Sequence, residues 1–139
     1  MCADQPKARG ARVCAGVVYK RRLIAIGANL AKSDPWQSRF ASAPDRIYLH
    51  AEIAAIKKAH TRLGRDELAK CQLFVCRLKQ VNIATGAQRR FEWALSKPCA
   101  GCSRAIESFG IQRVYYTIDA HSYGTWDLWL STGTISLTY

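Results

Sequence analysis

Residues 98–117 read PCAGCSRAIESFGIQRVYYT, and their pattern decides the fold class. Pro98 is a favoured first-turn residue, and Cys99, Cys102, Ile106 and Phe109 recur on one helical stripe before Gly110. Residues 111–118 (IQRVYYTI) follow as a strand, and residues 71–78 (CQLFVCRL) form a largely apolar run that reads as a buried strand upstream. Strand, helix and strand at this spacing imply a right-handed crossover and a partly parallel sheet, hence an α/β class.

Working outward, Leu49, Ile53, Ile56 and Leu63 recur at helical spacing, with Gly64 as a C-cap. This second predicted helix carries His50-Ala51-Glu52 in its first turn. Residues 12–19 (RVCAGVVY) and 23–28 (LIAIGA) are β-forming runs separated by Lys20, Arg21 and Arg22, a hairpin with a basic turn. Asn29 ends the hairpin, where a short amide suits a turn or a ligand contact. Residues 30–48 have no period and lead into His50, so they read as a functional loop or a short helix walling a site. Residues 79–96, with Thr85-Gly86 between alternating apolar residues, read as a β-excursion or hairpin. The tail, residues 119–139, reads as edge strands or a packing flap. No repeat or domain boundary stands out, so residues 1–139 are expected to form one domain, with 1–11 a flexible arm.

The two helix starts bring chemistry with them. His50, Cys99 and Cys102 supply an imidazole and two thiolates, and three protein ligands leave the fourth tetrahedral position of a zinc ion for water. Cys99 and Cys102, three apart, project from one helix face, and the first helical turn favours their thiolate forms. Glu52 stands one residue from His50, a gap that lets it lean over the open position instead of ligating. A catalytic zinc lowers the pKa of water from 15.7 to about 7. If the electrophile is the amino-bearing carbon of a nucleobase, Glu52 can take the water proton, protonate the ring nitrogen and help ammonia depart. Burial would raise its pKa and the zinc charge would oppose that.

Composition narrows the partners. The net charge is +11; residues from 114 onward hold Asp119 and Asp127 and no Lys or Arg, so the rest carries +13. A basic field favours anions, whether nucleotides or single-stranded nucleic acid, without specifying which. No run of about 18 apolar residues suggests a membrane span, and residues 1–10 lack the apolar core of a signal peptide. A cytoplasmic setting is therefore expected, in which the six cysteines stay reduced. Cys14, Cys71 and Cys76 read as small buried hydrophobes. His60 reads as structural. Trp36 and Phe40 suit base stacking or core filling equally, while Arg39, Arg46 and the run Arg89-Arg90-Phe91 suit either phosphate contact or a solvated surface.

HAEIAAI (residues 50–56) and PCAGCSRAIESFGIQRVYYT together resemble the cytidine and deoxycytidylate deaminase superfamily, in particular its zinc-dependent HAE/PCxxC branch, and most of all small phage-type deoxycytidylate deaminase-like proteins. The resemblance implies a three-layer α/β/α sandwich, with a central mixed sheet of about five strands and helices on both faces. It implies Zn2+ bound by His50, Cys99 and Cys102, Glu52 as proton shuttle, Asn29 touching sugar or base, and the Ala51 backbone N–H meeting the base. It also implies host cytoplasm as the setting, and homo-oligomers are common in such families. Two features depart from it. The stretch between Glu52 and Pro98 is longer than in compact members, which makes residues 79–96 an insertion. The first ligand is His where nucleoside cytidine deaminases place Cys, which argues against free cytidine. The expected reaction is dCMP, or a related cytosine nucleotide, to the uracil product and ammonia; the alternative is deamination of cytosine or adenine in single-stranded DNA or RNA.

Overall fold

The computed structural model describes residues 12–30, 32–40, 49–82, 89–127 and 130–136. In chain order these form β1 (Arg12–Tyr19), β2 (Arg22–Ala28), α1 (Pro35–Phe40), α2 (Ala51–His60), α3 (Arg65–Leu68), β3 (Gln72–Asn82), β4 (Arg89–Ala94), α4 (Ala100–Ser108), β5 (Arg113–Thr117), β6 (Ser122–Asp127) and β7 (Leu130–Ser136). The sheet is mixed and seven-stranded, with order β2-β1-β3-β5-β6-β7 and β4 also on β3. It exceeds the expected five or so because the tail supplies two strands and the 79–96 excursion a third. The parallel pair is β3 with β5, joined through α4 as the crossover pattern requires.

β3 is long because two strands share one of its sides. Gln72 to Val75 pair with β5, and Arg77 to Asn82 pair with β4, while β1 runs along the other side. Where β4 and β5 part, polar groups close the gap. The Ser96 hydroxyl donates to Val75 O (2.9 Å) and accepts the Thr117 N–H (2.8 Å); the Thr117 hydroxyl accepts the Arg77 N–H (3.1 Å) and donates to Ala94 O (2.8 Å). This clamp holds the loop that leads into Cys99.

The core lies between the sheet and α2. Ile53, Ile56, Leu73, Val114 and Ile106 are fully buried in it. An alanine-rich face lets α2 approach β2 closely, and the contact demands glycine: a Cβ on Gly27 would stand 2.3 Å from Ala55 N and 2.4 Å from Ala51 O. Strand alternation turns Phe74, Cys76 and Tyr115 to the opposite face, where Phe74 stacks on Tyr115 at 4.8 Å. That face is partly open, with Phe74 and Leu23 exposed.

Three boundaries differ from expectation. α2 stops at His60, so Leu63 lies beyond it, and Gly64 (φ −71°) is the N-cap of α3, its N–H bonded to Glu67 Oε1 at 3.0 Å, instead of a C-cap of α2. α4 begins at Ala100, which leaves Pro98 before the helix and makes Cys99 its N-cap. Gly110, at φ +74°, does end α4 in the left-handed conformation that favours glycine. The basic hairpin turn is real: Lys20 and Arg21 both take positive φ, the geometry that matches the twist of a two-residue hairpin.

Candidate metal centre

His50 and Cys99 occupy equivalent places, each the extended residue that precedes a helix: His50 at φ −84°, ψ 155° before α2, and Cys99 at φ −70°, ψ 172° before α4. Cys102 lies three residues on, in the first turn of α4. The tertiary fold brings the two helix starts together, so that one donor atom from each of His50, Cys99 and Cys102 lies within 4.8 Å of the others. His50 Nδ1 stands 3.5 Å from Cys99 Sγ and 3.3 Å from Cys102 Sγ. A tetrahedral zinc with its usual bond lengths, about 2.3 Å to sulfur and about 2.0 Å to nitrogen, holds such atoms roughly 3.5 Å apart. The donor set therefore fits Zn2+. No further His, Cys, Asp or Glu joins the cluster among the described residues.

The electrostatics favour a cation. The Cys99 thiol is held down to about 3, first by its hydrogen bond with Cys102 and then by His50. The Cys102 thiol is driven upward by the same bond and by burial, so the pair shares a proton that a metal would displace. Glu52 is only 5% exposed. Burial pushes its carboxyl above the ordinary carboxylate range, against a lowering hydrogen bond from Cys102 and the charge of His50.

His50, Glu52 and Cys99 line a cavity of about 400 Å³, and Asn29 and Ala51 line it too. A larger hollow of about 490 Å³ lies on the far sheet face and contains none of the donor residues, so the chemistry belongs to the smaller one. Asn29 Oδ1 accepts the Val13 N–H at 3.0 Å. Since only the carbonyl end of an amide can do this, the orientation of the side chain is fixed.

The other sequence candidates are elsewhere. Trp36 stacks on Phe109 at 5.3 Å, Phe40 meets Phe109 edge-on, and exposed His60 stands edge-on to Trp36 and Phe109, so these rings pack on protein. Arg39 is exposed, its guanidinium 5.4 Å from the Phe40 ring. Arg90 pairs with Glu92 at 2.6 Å on the surface. Arg46, Thr85 and Gly86 lie outside the described residues. Cys14 and Cys71 are buried, and burial pushes the Cys71 thiol up to about 11; Cys76 is only partly buried.

Sequence reasoning missed Gln37, Gly27, Arg77 and Ser96. Gln37, 1% exposed on α1, accepts the His50 N–H on Oε1 at 3.0 Å. Arg77 lines the cavity. Its signal was present: in CQLFVCRL a charge falls in the same alternation phase as buried Leu73 and Val75. Gln37 had no comparable signal, because residues 30–48 carry no period.

Three soft donors at two helix starts, with a buried carboxylate beside them on a mixed α/β sheet, define a zinc site of the deaminase class. Residues 2–118 match the family described as Cytidine and deoxycytidylate deaminase zinc-binding region, and the chain belongs to that family. No curated protein matches the chain. No helix among the described residues is long and apolar enough to cross a membrane.

Proposed function

We propose that the protein deaminates a free cytosine nucleotide, dCMP to dUMP and ammonia, with His50, Cys99 and Cys102 as zinc ligands and Glu52 as the catalytic acid and base. The observation that carries this reading is the sharing of one cavity by two residues of the donor cluster, His50 and Cys99, and buried Glu52. Bound zinc supplies hydroxide near neutral pH by lowering the pKa of a water. Glu52 receives the proton of the attacking water and passes it to the ring nitrogen of the base, then takes the remaining proton of the added hydroxyl as the carbonyl forms and delivers it to the amine as the C–N bond breaks. Asn29, fixed by Val13, offers its amide donor to sugar or base. Ala51 is the first residue of α2, where the backbone N–H has no partner within the helix and can meet the base.

The free-nucleotide reading is supported over the polynucleotide one by strand phase. Arg89-Arg90-Phe91 motivates strand binding, yet Phe91 pairs with Gln80, in the phase opposite to Arg77, and Arg90 is paired with Glu92. The Phe91 ring thus lies on the sheet face away from the cavity. A panel of dCMP, dCTP, deoxycytidine, guanine and labelled single strands, assayed on zinc-replete protein, tests the proposal. Turnover of oligonucleotides with none of the monomers overturns it.

A further inference from the structure

Arg77 breaks the pattern of its own strand. Leu73, Val75 and Arg77 share one face of β3; the first two are in the core, whereas the third lines the cavity beside the metal centre. Exposed Lys97, two residues before Cys99, lines the same cavity. The Arg77 Nε is shut off from solvent without a hydrogen-bond partner among the described residues, and Nη1 donates to Leu95 O at 3.3 Å. Neither cation has an ion-pair partner among the described residues. The acidic side chain in the cavity, Glu52, interacts with Cys102, His50 and Cys99. A donor kept from water without an acceptor is unfavourable, and a bound ion or ordered water is one way such a group is satisfied.

We infer that Arg77 and Lys97 form a subsite for the phosphate monoester of the substrate. The inference rests on the nucleotide reading and names the residues that would hold the phosphate of that nucleotide. A guanidinium fork matches two phosphate oxygens, and an ammonium adds a point charge. A monoester carries about −1.5 to −2 near neutral pH and matches this pair of cations. The cavity, about 400 Å³, falls in the usual range of small-ligand sites.

The test measures calorimetric binding of dUMP, deoxyuridine and oligothymidylate to zinc-loaded protein, together with steady-state kinetics on dCMP and deoxycytidine. Arg77→Gln and Lys97→Ala should each weaken dUMP binding about tenfold or more, as for loss of a charge-assisted contact, while deoxyuridine binding and zinc content hold. KM for dCMP should rise with kcat within about threefold. Equal weakening of dUMP and deoxyuridine, or unchanged dUMP binding, overturns the subsite. If no monomer is deaminated, the function proposal fails, yet Arg77- and Lys97-dependent dUMP binding still sustains the subsite. Oligothymidylate binding that depends on Arg77, without dUMP binding, overturns it. Lys97 is exposed, so its variant reports even if the Arg77 variant misfolds.

Discussion

The backbone N–H of His50 donates to the Oε1 atom of Gln37 at 3.0 Å, so a metal-centre residue is held in place by a buried amide from a different helix. α1 is thereby part of the site although none of its residues is a donor. Asp34 seats this helix: Oδ1 caps the Trp36 N–H at 2.9 Å, with Pro35 at the first helical position, and Oδ2 meets Lys57 of α2 at 2.8 Å.

Gln37→Met keeps the volume and removes the acceptor. It should cost about 1–3 kcal/mol of stability and roughly 10–100-fold in zinc affinity. Denaturant titration and chelator competition measure the two effects; unchanged zinc affinity would contradict a positioning role.

Glu52→Gln should retain stoichiometric zinc and lose at least about 100-fold in kcat. Metal analysis and single-turnover rates check this, and near-normal turnover rules out the proton shuttle. Cys99→Ala should lose the metal, read by native mass spectrometry.

Gly27→Ala should separate α2 from β2, because the added carbon meets main chain that cannot rotate away. Overpacking costs about 1–3 kcal/mol, and backbone clashes place this change at or above the upper end. The melting temperature should fall and zinc content should fall with it, since His50 and Glu52 ride on α2.

The pH dependence of stability has a definite sign at Asp34. Its pKa lies below the ordinary 3.8, held down first by the hydrogen bond from Lys57, with burial opposing and the Trp36 N–H assisting. The contribution is therefore complete above pH 3.8 and is lost as pH falls through the lower folded value. Asp34→Asn should flatten the melting temperature between pH 5 and pH 2 relative to the parent protein, in scans that step through about this range.

Much of this was legible in the chain because the signals are local. Alternation and helical spacing located β1, β2, α2, β3, α4 and β5, and the strand–helix–strand order around α4 implied the parallel pair. His50, Glu52, Cys99 and Cys102 could be named from residue type and spacing, since ligand chemistry is a property of the side chains. What local pattern could not give is which backbone groups meet across the fold. The acceptor for His50, the glycine beneath α2, the Ser96–Thr117 clamp and the entry of Arg77 into the cavity each join residues distant in sequence. Gly64 was misread for the same reason, because glycine at a helix end suits either cap, and only the path of the chain into α3 selects the second. The sequence by itself determined the donor chemistry of His50, Cys99 and Cys102 and the alternation of the sheet. Tertiary structure alone decided that two helix starts converge to within 4.8 Å and which cations share their cavity, because convergence depends on packing distances that no periodicity encodes.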